Sequence, residues 1–244
     1  MRDHSSTLAK TLTPLGRKYD LAKAFNDLLT VGICTFNQTN IQSRLQEKDE
    51  ASEAIYMDTI KPYDKDDLNA FAAALGILQL NVLDNPYSDI LGDFYMDYIT
   101  KGENGQYFTP DPVCKMLAKM TLDNSESEGK RILDPACGSG RMLLNAAKLH
   151  YRNYFFGADN NNTCAKMATL NFFLNGLNGE VAWMNSLSME WYGGWQINRN
   201  GLGIVPIEKE QSEIWTEVPK PKPVTFDKQT TKRAGQSAEQ LTLF

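Results

Sequence analysis

The apolar residues between positions 18 and 100 recur every three or four residues, which is the spacing of a helix face. Three groups share this pattern: Leu21, Phe25, Leu28 and Leu29; Leu68, Phe71, Leu75 and Leu78; Ile90, Leu91, Phe94 and Ile99. Asp66 and Asp67 precede the second group, as suits a helix N-terminus, which attracts negative charge. Residues 18–100 are therefore predicted to form a helical region, and the polar stretch 1–17 is expected to be flexible.

Between positions 101 and 216 the pattern changes to alternating strand and helix signals. Strands are predicted at 131–133, 154–158 and 181–184, with helices at 142–149 and 163–174 between them. Residues 195–197 and 204–207 flank Asn200-Gly201, which indicates a hairpin that covers an open sheet edge. The succession is typical of a βαβαβ half of a doubly wound sheet. The predicted fold class is therefore α/β, a partial Rossmann-like sheet preceded by a helical region.

The tail, residues 217–244, has a different composition. Pro219, Pro221 and Pro223 alternate with lysines, which favours an extended linker, and the polar stretch after them is expected to be disordered. The last five residues, QLTLF, resemble the pentapeptide Q-L-x-L-F by which bacterial DNA-processing proteins dock onto the sliding clamp. The candidate partner-binding residues are Gln240, Leu241, Leu243 and Phe244. The alternative is a tail that folds back onto the protein.

Composition and charge narrow the functional classes. Of the 244 residues, 42% are hydrophobic and 23% charged, and no apolar run suits a membrane span or a secretory signal, so a cytoplasmic globular protein is expected. The four cysteines are far apart and only two histidines are present, so no metal site is predicted and the thiols are expected to be reduced. The net charge of −5 does not indicate a strongly basic DNA-binding face. If the chain acts on DNA, help from another chain is expected.

A glycine-rich segment, Asp134-Pro135-Ala136-Cys137-Gly138-Ser139-Gly140, follows the first predicted strand and precedes a helix. Its glycines allow a tight turn and a close approach of ligand, and the helix N-terminus favours a carboxylate or phosphate. The segment does not match the P-loop pattern, which excludes that type of nucleotide site. Asp159 ends the next predicted strand, where an acid accepts hydrogen bonds from ribose hydroxyls. The alternative is that Asp159 caps the next helix, which residues 160–163 could also do.

Four segments resemble, in order, the successive motifs of N6-adenine DNA methylases, and most closely those of type I modification subunits. They are residues 105–110 (GQYFTP), 134–140 (DPACGSG), 157–159 (GAD) and 185–187 (NSL). The family patterns are G-Q-F/Y-F/Y-T-P and D-P-A-C-G-S-G-x-M/L-L, followed by an acid after the second strand. Residues 85–95 also resemble the segment that leads into the first motif. The resemblance runs from about residue 87 to about residue 188.

This resemblance implies a SAM-dependent methyltransferase fold, with S-adenosylmethionine (SAM) as cofactor and adenine N6 in DNA as the methyl acceptor. The implied cofactor-binding residues fall into four groups. They are Gln106, Tyr107, Phe108, Thr109 and Pro110 over the methionine end; Asp134, Ala136, Cys137, Gly138, Ser139 and Gly140 around the amino-acid part; Asp159 with Asn160 at the ribose; and Asn185 with Ser186 near the adenine. The family often has Asp at the position of Asn185, and an amide can still donate and accept there. The alternative role of Tyr107 and Phe108 is core packing.

The family holds its flipped adenine with a D/N-P-P-F/Y/W motif, which this sequence does not contain. Asn85-Pro86-Tyr87 has one proline too few and precedes the first motif, so it is interpreted as a turn and helix start with Pro86 at the first helical position. The aromatic residues of segment 191–195 could stack on a base, although such clusters more often lie in cores or interfaces. No catalytic residue is therefore assigned. The alternative function is a catalytically inactive SAM-binding partner or regulatory subunit, and a methylase of proteins or small molecules is disfavoured.

Overall fold

The computed structural model describes residues 3–37, 49–100, 108–122, 128–199 and 203–214. The first half is helical, with α1 His4–Leu12, α2 Leu21–Thr35, α3 Glu50–Ile60, α4 Lys65–Asp84, α5 Ile90–Phe94 and a π-helical turn at Tyr95–Thr100. The second half contains α6 Asp111–Thr121, β1 Arg131–Asp134, α7 Arg141–Leu149, β2 Tyr154–Asp159, α8 Asn162–Leu174, β3 Asn178–Asn185, β4 Glu190–Ile197 and β5 Ile204–Ile207. None of the helices in these described ranges is long and apolar enough to cross a bilayer.

The five strands form one sheet in the order β1-β2-β3-β4-β5. The first three are parallel, and α7 and α8 provide the crossovers between them, which confirms the predicted βαβαβ unit. β4 and β5 add as antiparallel strands, which confirms the predicted hairpin, although its Asn200-Gly201 turn lies outside the described residues. β4 begins earlier than the pattern indicated, at Glu190, and pairs with β3. Trp191 therefore lies in a strand, on one edge of the parallel unit.

The N-terminal stretch, expected to be flexible, is corrected for residues 3–17. Asp3 accepts a hydrogen bond from the Ser6 backbone N–H and caps α1, and a short 3-10 helix follows at Thr13–Arg17. Leu8, Leu12 and Leu15 are buried, at i, i+4 and i+7. Three leucines on one face of a short, otherwise polar segment are enough to pack it onto the helical region, and the polar composition obscured that stripe.

The helical region and the sheet share α8. One face of α8 contributes Met167 and Leu170 to the core that contains Phe25 of α2 and Phe71 of α4. The opposite side packs Ala165, Ala168 and Phe172 with α7 against the sheet. Because α8 belongs to both cores, the helical region is fixed relative to the carboxyl ends of the strands.

The turn at Asn85-Pro86-Tyr87 brings the helical region back towards α8. Tyr87 has a positive φ of 63°, and its backbone N–H donates to Asn175 Oδ1 at 2.7 Å. α5 begins at Ile90, capped by Asp89, so the prediction that Pro86 occupies the first helical position is wrong. The left-handed backbone at Tyr87 cannot belong to a helix, and the Asp89 side chain supplies the cap three residues after the proline.

Candidate functional site

Two carboxylates lie at the carboxyl ends of neighbouring parallel strands. Asp134 ends β1 and Asp159 ends β2, and the glycine-rich segment 135–140 connects β1 to α7. Asp159 Oδ2 accepts the Gly138 backbone N–H and its Oδ1 accepts that of Asn161, both at 2.8 Å. The carboxyl ends of the strands are where doubly wound sheets bind their ligands. The two predicted acids and the loop are therefore brought to one edge of the sheet.

The loop turns sharply at two glycines. Gly138 and Gly140 have φ values of 55° and 84°, in the left-handed region that disfavours a side chain. The Cys137 N–H donates to Ala158 O at 2.9 Å, which ties the loop to β2. Gly140 occupies the N-cap of α7 and provides no side-chain cap. The first backbone N–H groups of α7 are therefore available to a negatively charged group.

A cavity of about 120 Å³ lies above this loop. Ten residues line it: Phe108, Thr109, Cys114, Asp134, Ala136, Cys137, Gly138, Ser139, Arg141 and Met142. The Phe108 ring packs so closely over Gly138 that a Cβ there would lie 2.9 Å from Phe108 Cε1. Phe108 also stacks on Tyr95, with ring centroids 5.9 Å apart. Both sequence motifs thus contribute to one cavity, while Gln106 and Tyr107 lie outside the described residues.

The acids at this edge of the sheet suit a cationic ligand: Asp134 lines the cavity, and Asp159 is outside its lining but accepts the N–H of the lining residue Gly138. Burial raises the pKa of Asp134, and the negative charge of Asp159 raises it further. A hydrogen bond from the Ala136 N–H lowers this pKa but does not outweigh the burial. Burial also raises the pKa of Asp159, against hydrogen bonds from two backbone N–H groups. Within the described ranges neither carboxylate forms an ion pair with a lysine or arginine. A bound ammonium or sulfonium would supply the missing positive charge.

The other predicted site residues lie close to this edge. Ser186 Oγ donates to Pro135 O at 2.8 Å, which joins the end of β3 to the start of the loop. Asn185 Oδ1 accepts the backbone N–H groups of Leu187 and Ser188 and so caps the turn after β3. Pro110 occupies the N-cap position of α6. The backbone carbonyl of Asn160 accepts the Trp183 indole N–H at 3.2 Å.

All four cysteines are free thiols. Cys137 is buried beneath the cavity against Gly157, and burial raises the pKa of its thiol. A thiol held in its neutral form packs as a small apolar group rather than acting as a nucleophile. Cys137 therefore contributes shape, not charge, to the loop.

One buried acid, Asp89, was not predicted from the sequence. Its Oδ1 accepts the Gly92 N–H and Asn171 Nδ2, each at 2.9 Å. Its Oδ2 accepts the Ser139 hydroxyl and Arg141 Nε, the latter at 2.9 Å. A sequence signal existed in Arg141, because a cation at the first position of a helix opposes the helix dipole and calls for a nearby acid. The pattern could not tell which acid.

Comparison with known proteins identifies a family for this part of the chain. The family model described as N-6 DNA Methylase matches residues 82–212. Two curated relatives from Methanocaldococcus jannaschii are similar: the type I restriction enzyme MjaVIII methylase subunit, 38% identical over 98 residues, and the MjaVII methylase subunit, 32% identical over 102 residues. These matches cover 37% and 38% of this chain but 16% and 17% of the relatives, so the chain spans about one-sixth of their length.

Two solved structures are also similar. A type I restriction-modification methyltransferase subunit from Streptococcus thermophilus has 25% identity and a TM-score of 0.35, over 53% of this chain and 30% of that chain. A putative class I S-adenosylmethionine-dependent methyltransferase from Listeria monocytogenes has 16% identity and a TM-score of 0.42, over 67% of this chain and 54% of that chain.

Proposed function

This chain belongs to the N-6 DNA methylase family, and from that premise we propose that it binds SAM and serves methyl transfer to adenine N6 in DNA. The observation that supports the proposal most is the pair of acids on either side of the loop, the buried Asp134 and the half-buried Asp159. Their charges are not compensated by a basic side chain of the described residues, and SAM carries a sulfonium and an ammonium. The ligand would provide the cation that the cavity requires.

The residues divide the binding between them. Asp134 is suited to the ammonium group of the cofactor, and the uncapped N–H groups at the start of α7 are suited to its carboxylate. Each oxygen of Asp159 accepts one backbone N–H and keeps a lone pair for a ribose hydroxyl. Phe108 closes the cavity over Gly138 and excludes water there. When bound, the cofactor supplies a methyl group activated by its sulfonium, and these residues orient it for displacement.

The alternative function, a catalytically inactive SAM-binding subunit, is not favoured. The curated relatives are described as methylase subunits, and the family is defined by N-6 DNA methylation. The chain has a net charge of −5, whereas binding of DNA phosphates needs a basic surface. We therefore propose that the chain engages DNA in the cytoplasm together with another polypeptide. That polypeptide would also contribute to holding the adenine.

Calorimetric titration of SAM tests the binding proposal. The wild-type chain is expected to bind, and Asp159→Ala to bind about 10- to 100-fold more weakly, the loss expected from hydrogen bonds to a charged acceptor. Asp58→Ala, on the exposed side of α3, is the matched control and should bind like wild type. Absence of heat with the wild-type protein would remove the proposal.

Incubation with methyl-labelled SAM and unmethylated DNA tests the reaction. Label is expected in N6-methyladenine when the chain is supplied with its co-purified partner, and Asp159→Ala should reduce it in proportion to the lost affinity. Label in protein or in cytosine, with none in adenine, would contradict the proposed acceptor.

We also propose that the tail binds the bacterial sliding clamp. The candidate residues Gln240, Leu241, Leu243 and Phe244 lie outside the described residues, and the proposal rests on their sequence alone. A purified clamp is expected to retain the full chain and not a chain lacking residues 240–244. Equal retention of both chains would refute it.

A further inference from the structure

Arg141 brings a positive charge to a cavity that otherwise suits a cation. Its side chain lines the cavity and is 9% exposed, so water screens its charge poorly. The guanidinium lies over the Phe108 ring, 6.0 Å from the centroid. Arg141 also occupies the first position of α7, where the helix dipole already contributes positive charge. Without a counter-charge, the positive charge of Arg141 would offset the negative charges of Asp134 and Asp159.

Asp89 cancels that charge. Its side chain is 3% exposed; the carboxylate accepts Arg141 Nε at 2.9 Å, and the backbone carbonyl accepts Arg141 Nη2 at 3.4 Å. A second acid, Asp93, binds Arg141 Nη2 at 2.5 Å, but 49% of its side chain is exposed, so solvent screens its charge. Asp89 is therefore the buried counter-charge, and Asp93 adds to it from the surface.

The same carboxylate also fixes the loop. The Ser139 hydroxyl donates to Asp89 Oδ2, and the Ser139 carbonyl accepts Asn171 Nδ2 at 2.8 Å. Ser139 is almost completely buried, and its hydroxyl is turned towards the helical region rather than used for ligand. The residue between the two left-handed glycines is thus held by hydrogen bonds to Asp89 and Asn171. Shape and charge of the cavity depend on one residue of α5's N-terminus.

We propose that Asp89 is a specificity-determining residue of the cofactor site: by neutralising Arg141 it preserves the negative charge of the cavity and so raises the affinity for cationic SAM relative to that for its product with an uncharged sulfur, S-adenosylhomocysteine. The inference rests on the proposed function, since both molecules are ligands only if the site binds SAM. The two differ by one methyl group and one positive charge. A change in cavity charge therefore changes the ratio of their affinities, whereas a loss of fold weakens both.

The test compares the dissociation constants of SAM and S-adenosylhomocysteine for the full chain and its variants. Asp89→Asn, which removes one negative charge, is expected to lower the ratio of SAM affinity to S-adenosylhomocysteine affinity by about 15-fold, as for a unit charge about 10 Å away at an effective dielectric constant of about 20. Arg141→Gln should shift the ratio the opposite way. The double variant Asp89→Asn/Arg141→Gln should return the ratio to within about 2-fold of wild type, since the two charges are lost together.

Ser139→Ala is the matched control, because it loses a hydrogen bond to Asp89 but no charge. It is expected to weaken both ligands equally. If Asp89→Asn does not fold, the Arg141→Gln and double variants still decide the matter. An unchanged ratio in Arg141→Gln, or an equal loss of both ligands in Asp89→Asn, overturns the inference; a wild-type chain that binds neither ligand overturns the proposed function instead.

Discussion

Gly138 lies where the loop, the cavity and the Phe108 ring meet. Its φ of 55° disfavours any side chain, and the space that a Cβ would need is already occupied by Phe108. Gly129 offers a comparison, since its φ is 72° but no atom lies within 4 Å of a Cβ built there. A side chain would therefore cost backbone strain at both positions, but only at Gly138 would it also collide with Phe108.

We expect Gly129→Ala to lower the free energy of unfolding by about 1–2 kcal/mol, the cost of a left-handed alanine. Gly138→Ala should lower it by about 2–5 kcal/mol, because displacement of Phe108 adds about 1–3 kcal/mol. Thermal unfolding measures both, and SAM titration should show that only Gly138→Ala loses affinity. Equal stability and equal affinity in the two variants would contradict a role for the Phe108 contact.

Asp134 is expected to reduce the stability of the ligand-free protein at neutral pH. Burial raises the pKa of its carboxyl in the fold above the ordinary value of 3.8, so the folded state binds the proton more tightly than the unfolded chain. The associated stability is complete below the unfolded value and is lost as pH rises through the raised folded value. Asp134→Asn, which keeps the acceptor for Ala136 N–H, should therefore melt higher than wild type near pH 7 and alike near pH 4.

The melting temperatures of wild type, Asp134→Asn and the exposed control Asp58→Asn, measured from pH 4 to pH 8, check this. The difference between Asp134→Asn and wild type should grow with pH. SAM affinity of the wild type should fall as pH drops through the raised value, because a cationic ligand needs the ionised acid. A difference that does not depend on pH would show that burial of the charge is unimportant.

At the scale of elements, α1 is a short helix whose stability depends on tertiary packing. Leu8 is completely buried against the helical region, whereas Leu83 near the end of α4 is 78% exposed. We expect Leu8→Ala to cost about 2–5 kcal/mol of unfolding free energy. Leu83→Ala should stay within about 0.5 kcal/mol. Chemical denaturation compares them, and similar midpoints for the two variants would mean that α1 is not part of the folded core.

The elements differ in how well their sequences announced them. The parallel unit was predictable because β1, β2 and their crossovers are separated by clear loop residues and have continuous apolar runs. The start of β4 was not, since Gly193 and Gly194 interrupt the strand and its pairing with β3 is a tertiary contact. The π-helical turn at Tyr95–Thr100 likewise shares its apolar spacing with an ordinary helix.

The candidate site was predictable to the extent that it is local in sequence. The loop, its two flanking acids and Phe108 belong to motifs whose order can be read along the chain. The bonds from Asp89 to Ser139 and Arg141 join residues 50 and 52 positions apart, and nothing in a one-dimensional pattern specifies that pairing. Those contacts require the packing of α5 against α8 to be known.

At the scale of the whole molecule, the helical region and the sheet are expected to unfold together. They share α8, and the buried Asp89 crosses from one to the other. Trp183 lies in β3, and Trp191 and Trp195 lie in β4, so the fluorescence of these tryptophans reports the sheet half, whereas circular dichroism at 222 nm is weighted towards the helices. The unfolding midpoints from the two signals should coincide. SAM at about 100 times its Kd should raise the free energy of unfolding measured by either signal by about 2.7 kcal/mol.

Leu8→Ala provides the control, because it lies far in sequence from the tryptophans yet should lower both midpoints together. A helical signal that melts first, with fluorescence unchanged, would mean that the two halves are thermodynamically separate.

Gly92 carries a further consequence of the Asp89 cluster. A Cβ at this position would lie 2.2 Å from Asp89 Oδ2 and 2.6 Å from Ser139 Oγ, so no other residue fits while those two are in place. A substitution at any one of these positions is expected to be tolerated only together with a substitution at another. Asp89, Gly92, Ser139 and Arg141 should therefore be inherited as a block, with lineages that lose the acid also replacing the arginine. Substitutions in this segment of the helical half would then be constrained by substitutions in the cofactor loop, and the two would evolve together.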